Sequence, residues 1–190
     1  VDTGMNRLGF RLEQFADAYA RLQRVANVAS APTLVTHLAS ADDRGDAKTG
    51  DQLQAFAAAT AGLAGARSIA NSAALIAWPE TRSDWVRPGL LLYGVSPFPD
   101  GTGTGLGLRP AMTLQSEVIA VKDVAAGETV GYGGAWRAAR ATRMAVVAAG
   151  YGDGYPRSVP SGTPVMVNGQ RAPLIGHVSM DMITVDVTGL

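Results

Sequence analysis

The chain has 190 residues, 47% of them apolar, enough to bury one large or two small cores. Sixteen basic and sixteen acidic residues cancel to zero net charge, which argues against nucleic acid or a membrane surface as a partner. The absence of cysteine excludes disulfides, thiolate metal sites and a cysteine nucleophile, and two histidines, His37 and His177, are too few for a histidine-rich metal cluster, so no metal is expected.

No apolar run is long enough to span a bilayer, and no charged-then-apolar leader opens the chain, so a cytoplasmic protein is expected. Lys48 and Lys122 are the only lysines; any chemistry that needs a lysine amine must use one of them or lie outside this sequence.

Val1 to Gly4 reads as the end of a strand. A helix is expected from about Arg11 to Ala26, because Leu12, Phe15, Ala16, Tyr19 and Leu22 recur at three- and four-residue steps and make one buried stripe. Thr33 to Leu38 is a short apolar strand, Asp42 to Gly45 a polar loop, and Asp51 to Leu63 a second helix. Ala66 to Ser72 reads as a strand running into a turn, and Val86 to Tyr93 repeats the alternation. Strands alternating with helices predict βαβ units and a parallel sheet. Ser96 to Gly107, with two prolines and four glycines, is a linker; its glycines miss the G-x-G-x-x-G spacing of a nucleotide-binding turn.

From Ala111 the pattern is all-β, with alternation over Met112–Lys122, Thr142–Val147, Val165–Val167 and Met182–Val187. Two domains are expected, an α/β part over 1–108 and a β-rich part over 109–190. Within the second, Val130-Gly-Tyr-Gly-Gly134 and Gly150-Tyr-Gly-Asp-Gly-Tyr-Pro-Arg157 each present a tyrosine among glycines, where a ligand can approach closely. Taken singly, both are also ordinary glycine-punctuated turns with an amphipathic tyrosine beside them.

In the α/β part the polar residues of interest follow the C-terminal ends of the strands: Arg7, His37, Asn71 with Ser72, and Arg87 with Gly89. In a (β/α) barrel that edge is where active sites are built. Ser72 and the amides around Gly89 and Leu90 could hold a phosphate. Each residue also has a plain reading: Asn71-Ser72 capping a helix, Arg7 and Arg87 as surface charges, His37 as a core histidine.

Taken together, these blocks resemble alanine racemase, a fold-type III enzyme of pyridoxal 5′-phosphate. The resemblance rests on Val1-Asp-Thr-Gly-Met-Asn-Arg-Leu-Gly9, Thr36-His-Leu-Ala-Ser-Ala-Asp42, Ala70-Asn-Ser-Ala-Ala74, Val86-Arg-Pro-Gly89 and Leu91-Leu-Tyr-Gly94. It continues through Val130-Gly-Tyr-Gly133, Gly150 to Arg157 and Gly176-His-Val-Ser-Met-Asp181, in the family's order. It implies a partial (β/α)8 TIM-type barrel followed by a β-domain, and the interconversion of L- and D-alanine with two acid/base groups, a lysine and a tyrosine.

Tyr132 matches the tyrosine. The family's network has it meet His37, which meets Arg87, and the residue matching Arg87 faces the pyridine nitrogen. The position of Arg7 pairs with the cofactor's phenolic oxygen and helps orient the substrate carboxylate. Ser72, Gly89 and Leu90 match the phosphate contacts, with Asn71 beside them. The Met180 amide is expected at the substrate carboxylate, and Tyr151, Arg157, Asp42 and Asp181 match the substrate entrance. The resemblance further implies a homodimer with shared active sites, in which Tyr132, Tyr151, Met180 and Asp181 serve the partner's cofactor.

There are departures. The cofactor lysine and a phosphate-binding tyrosine near the family's C-terminus have no counterpart, so the chain is expected to be a piece of the enzyme and inactive alone. Gly152 stands where alanine is usual, and His177 where arginine is common. A broad-specificity amino-acid racemase, or a non-catalytic fragment that binds pyridoxal phosphate or dimerises, are the alternatives.

Overall fold

The computed structural model describes residues 1–190. Its first unit, Val1–Thr113, is built on a short parallel ladder. Strand β1 (Leu34–Val35) pairs in parallel with β2 (Arg67–Ser68), and Ser68 bridges in parallel to Trp85. The ladder extends through Leu34 N–H to the Ala66 carbonyl, Thr36 N–H to Ser68, Trp85 N–H to Arg67 and Arg87 N–H to Ala70. On the other side of β1, the Val1 nitrogen donates to the Val35 carbonyl at 2.7 Å.

The intervening segments are helical: α1 (Leu12–Leu22), α2 (Lys48–Ala59) and α3 (Ser72–Ala77). The core forms where α1 and α2 meet the ladder, around Phe15, Leu34, Leu38, Phe56, Ile69 and Ala74. Each large side chain among these contributes about 1.5–3 kcal/mol by leaving water.

Two expectations need correction here. The α1 stripe is buried only at Phe15, with Tyr19 packed beside it; Leu12 and Leu22 stay exposed at 43% and 37%, since α1 packs mainly against α2. The alternation over Val86 to Tyr93 does not make a strand: only Trp85 bridges, and Gly89–Leu92 close a one-turn helix, α4, with Leu92 N–H on the Pro88 carbonyl. Pro88 has no N–H to give a ladder, which stops extension there. The first unit runs to Thr113, with Ala111 N–H bonding the Tyr93 carbonyl.

The second unit, Leu114–Leu190, contains no α-helix. Strand β3 (Val118–Val124) pairs antiparallel with β6 (Thr142–Val147), and β6 with β9 (Ile183–Asp186). Two hairpins complete it, β4 (Thr129–Val130) with β5 (Trp136–Arg137), and β7 (Pro164–Val167) with β8 (Gln170–Pro173). The alternation read from Met112 therefore becomes strand only at Val118. Ala145, Leu174, Ile183 and Val185 centre one apolar cluster, and Val130, Met144 and Ile175 another. No helix of the chain is long and apolar enough to cross a membrane.

Candidate active site

The parallel ladder delivers its polar residues to one edge because each segment ends just before them. There Arg87 is the hub. Its guanidinium donates to Ser68 Oγ at 2.7 Å, to the Thr36 carbonyl at 2.6 Å and to the Ile69 carbonyl at 3.4 Å, and lies 3.3 Å from His37 Nδ1. An arginine can only donate, so Nδ1 accepts and the imidazole proton sits on Nε2. Burial, with the nearby charges of Arg87 and Arg7, lowers the His37 pKa and holds the ring neutral. The Arg87 Nε–H makes no hydrogen bond within the chain and remains available to an acceptor.

These groups line a cleft of about 280 Å³ together with Met5, Arg7, Leu8 and Thr36. The cleft therefore joins Arg7, His37 and Arg87, three of the residues singled out by sequence, and neither lysine reaches it. The partners that fix Arg87, namely Ser68 and the Thr36 and Ile69 carbonyls, were not singled out. Only the alternation that places Thr36 and Ser68 on paired strands could have signalled them.

A second cluster forms where α3 and α4 begin. Asn71 caps α3, its Oδ1 accepting from Ala74 N–H at 3.0 Å, while its Nδ2 donates to the Leu38 carbonyl. The capping reading of Asn71 thus holds. Ser72 is buried, and its Oγ accepts from Leu91 N–H at 3.4 Å, leaving its hydroxyl proton unbonded. The neighbouring Leu90 N–H has no partner either, whereas Gly89 N–H turns back to the Arg87 carbonyl at 3.0 Å. A hydroxyl and an amide side by side, both with a free hydrogen, suit an anion such as a phosphate.

In the second unit, Tyr132 opens a 3₁₀ turn over Tyr132–Gly134 and is 74% exposed. Gly131 at φ +75° and Gly133 at φ +69° supply the left-handed backbone that leaves the phenol uncovered. A second turn, Tyr151–Asp153, is bound to the loop that carries Met180: Tyr151 N–H donates to the Ser179 carbonyl at 3.0 Å and Gly152 N–H to the Met180 carbonyl at 2.7 Å. Gly150 is required by space, since a Cβ there would stand 2.2 Å from the Met180 oxygen. Met180 N–H is left without a partner. Arg157 lies over the Tyr151 ring at 5.7 Å from its centroid, and Asp181 is exposed beside Met180. Asp42, in the first unit, is exposed in the loop before α2 and does not line the cleft.

Comparison with known proteins accounts for both units. Residues 1–97 match the family model described as "Alanine racemase, N-terminal domain", and residues 111–190 match "Alanine racemase, C-terminal domain". The alanine racemase of Shewanella amazonensis is 54% identical over 98% of this chain and 51% of its own length, and that of Vibrio cholerae 52% identical over 98% and 52%. The crystal structure of the biosynthetic alanine racemase from Pseudomonas aeruginosa superposes with a TM-score of 0.90 at 45% identity, covering all of this chain and 53% of that one. The Streptomyces coelicolor enzyme gives 0.88 at 37% identity, over 98% of this chain and 51% of that one. The chain spans about half the length of the curated relatives it matches. With each of its two units matching its own part of the same family, the chain belongs to the alanine racemase family.

Proposed function

We propose that this chain is the part of a pyridoxal-phosphate-dependent alanine racemase that holds the cofactor ring and phosphate and supplies one of two proton-transfer groups. The observation that carries this reading is the Arg87–His37 pair in the cleft, with Arg87 Nε–H still free to donate, in a chain whose family acts on alanine. The donor set fits the cofactor: Ser72 Oγ–H and Leu90 N–H for its phosphate, with Gly89 and Asn71 beside them, Arg87 for its ring nitrogen and Arg7 for its phenolic oxygen. When bound, the cofactor supplies the electron sink that makes an amino acid's α-proton removable.

The chain's own residues then divide the remaining tasks. Arg87 does not readily give up its proton, so a ring nitrogen facing it stays unprotonated, which limits side reactions. In the family's network the His37 Nε2–H would be the donor to the Tyr132 oxygen. A free phenol has a pKa of about 10 and needs such help to take a proton near neutrality. Met180 N–H, with Arg7, would hold the substrate carboxylate, and Tyr151, Arg157, Asp42 and Asp181 would shape the approach to it.

The same reading makes the first unit part of a (β/α)8 barrel. It makes the whole a cytoplasmic homodimer in which Tyr132, Tyr151, Met180 and Asp181 serve the other subunit's cofactor. Lys48 and Lys122 are both exposed and outside the cleft, so the covalent lysine comes from sequence not contained in these residues.

The test is D-alanine formation from L-alanine with added pyridoxal phosphate. It compares this chain with a protein extended to the length of its relatives. Activity of the extended protein alone is the expected result. Turnover by the short chain would overturn the lysine assignment, and no turnover by either would overturn alanine as substrate.

A further inference from the structure

We propose that Gln52 is a positioning residue of this site: its buried carboxamide ties the backbone on both sides of Leu38 to the Thr3 turn that leads to Arg7. The assignment rests on the racemase reading only for the role of His37; the geometry stands by itself.

Gln52 lies between Thr49 and Phe56 on the buried face of α2 and is 1% exposed. A carboxamide in such a place is tolerated only if its hydrogen-bonding groups are matched. Here they are. Oε1 accepts from Ala39 N–H at 2.9 Å, and Nε2 donates one hydrogen to the His37 carbonyl and the other to Thr3 Oγ1, both at 3.0 Å. The partners dictate the amide's orientation: turned over, it would set N–H against the Ala39 N–H and oxygen against the His37 carbonyl. Thr3 passes the constraint on, with its Oγ1 2.7 Å from Thr36 Oγ1, and the Thr36 carbonyl accepts from Arg87. One amide thus reaches the backbone that carries His37, the turn that leads to Arg7 and, through Thr36, the Arg87 guanidinium.

Packing alone would hold α2 against the ladder, since Leu38 and Phe56 share the same core. What packing does not fix is the path of the chain where the ladder stops. Strand β1 ends at Val35, and Thr36 N–H makes the last bond to β2. Past that point the His37 carbonyl and Ala39 N–H have no strand to pair with, and Gln52 stands in for the missing rungs, while Asn71 takes the Leu38 carbonyl between them.

The experiment is nuclear magnetic resonance of the ¹⁵N-labelled full chain, whose two histidines give separable imidazole signals. Gln52→Leu keeps the volume and deletes all three bonds. It should shift the His37 ring signals and raise the titration midpoint of His37 toward the ordinary histidine value, as the ring loosens from Arg87. His177, in the other unit, should stay put as the internal reference. Thr60→Val supplies the control for lost stability: that buried hydroxyl bonds only the Phe56 carbonyl behind it, so its loss should lower the melting temperature without moving His37. Unchanged His37 signals in Gln52→Leu, or an equal shift in Thr60→Val, would overturn the assignment.

If Gln52→Leu does not fold, the unaltered chain decides. The Gln52 side-chain amide hydrogens should exchange with water at least about tenfold more slowly than those of exposed Gln115, and exchange at the same rate would overturn the proposal. None of these readouts uses racemase activity, so failure of the racemase reading would not be mistaken for failure of this one.

Discussion

The two units hold their functional groups by opposite means. In the first, side chains do the holding: Arg87 is fixed by Ser68 Oγ, the Thr36 and Ile69 carbonyls and His37, and the Gln52 carboxamide holds the backbone beneath. In the second, backbone fixes backbone: the Tyr151 turn is bonded to the Met180 loop through main-chain groups, and Tyr132 stands exposed on a glycine turn. The first arrangement orients groups that must not move and sets their protonation. The second presents groups with no hydrogen-bond partner in the chain, and it is sensitive to any atom added to the turns.

The sharpest way to break the second arrangement is chemical. Tyr132→Phe removes an exposed oxygen that makes no hydrogen bond in the chain, so stability should be unchanged. In a protein extended to full relative length, racemisation should fall about 10²- to 10⁴-fold, the range for losing a positioned acid/base group. One direction should suffer more than the other, as expected of a group on one face of the substrate. Near-normal turnover in both directions, measured by chiral separation of alanine, would remove Tyr132 from the mechanism.

Gly150→Ala attacks the same unit through its backbone. Its Cβ would stand 2.2 Å from the Met180 oxygen and 2.4 Å from the Ser179 oxygen, neither of which can swing away like a side-chain tip. A cost of about 1–3 kcal/mol or more is expected, as for overpacking generally. Urea unfolding should show the second unit weakened, with the amide signals of the first unit unmoved. Equal stability would mean the two loops are not locked together.

How much of this was legible in the sequence follows the same division. Alternation showed β1, β2, β3, β6, β7 and β9 but not the short strands β4, β5 and β8, and the resemblance brought His37 and Arg87 together. Gln52 was not legible. A glutamine in a helix reads as a solvent-facing residue, and only the spacing of Thr49, Gln52 and Phe56 puts it on the buried side. Gly89–Leu92 misled because three leucines look the same to a pattern of period two as to a single helical turn, and Pro88 was the better signal. The exposed Leu12 and Leu22 misled because helical periodicity names a face but not what covers it.

Smaller effects probe the first unit's electrostatics. His37 binds a proton less readily in the folded chain than in the unfolded one, chiefly through burial and then through Arg87 and Arg7. Between the ordinary value of about 6.5 and the lower folded one, the unfolded chain carries more protons, so stability is complete above that window and falls as pH drops through it. Asp2 adds a loss at lower pH, because N–H groups of Asn6 and then Gly4 hold its carboxylate below the usual range. His37→Gln should flatten the dependence of urea stability on pH just below 6.5 and leave the Asp2 loss in place. An unchanged slope would assign the upper window to another group.

The smallest expected change is Gly152→Ala. Gly152 does not adopt the left-handed backbone that disfavours other residues, so alanine should gain about 0.4–1 kcal/mol by restricting the unfolded chain. Against this, its Cβ would meet the Met180 oxygen at 3.1 Å, so the loop must yield by a few tenths of an ångström. The two effects nearly cancel in stability. They do not cancel at the Met180 N–H, which moves with its carbonyl and is the donor assigned to the substrate carboxylate. In the extended protein the variant should therefore change the alanine KM about two- to fivefold with kcat nearly constant, since a uniform binding contact is altered. A change confined to kcat would mean that the Met180 amide contact forms only in the transition state rather than in substrate binding.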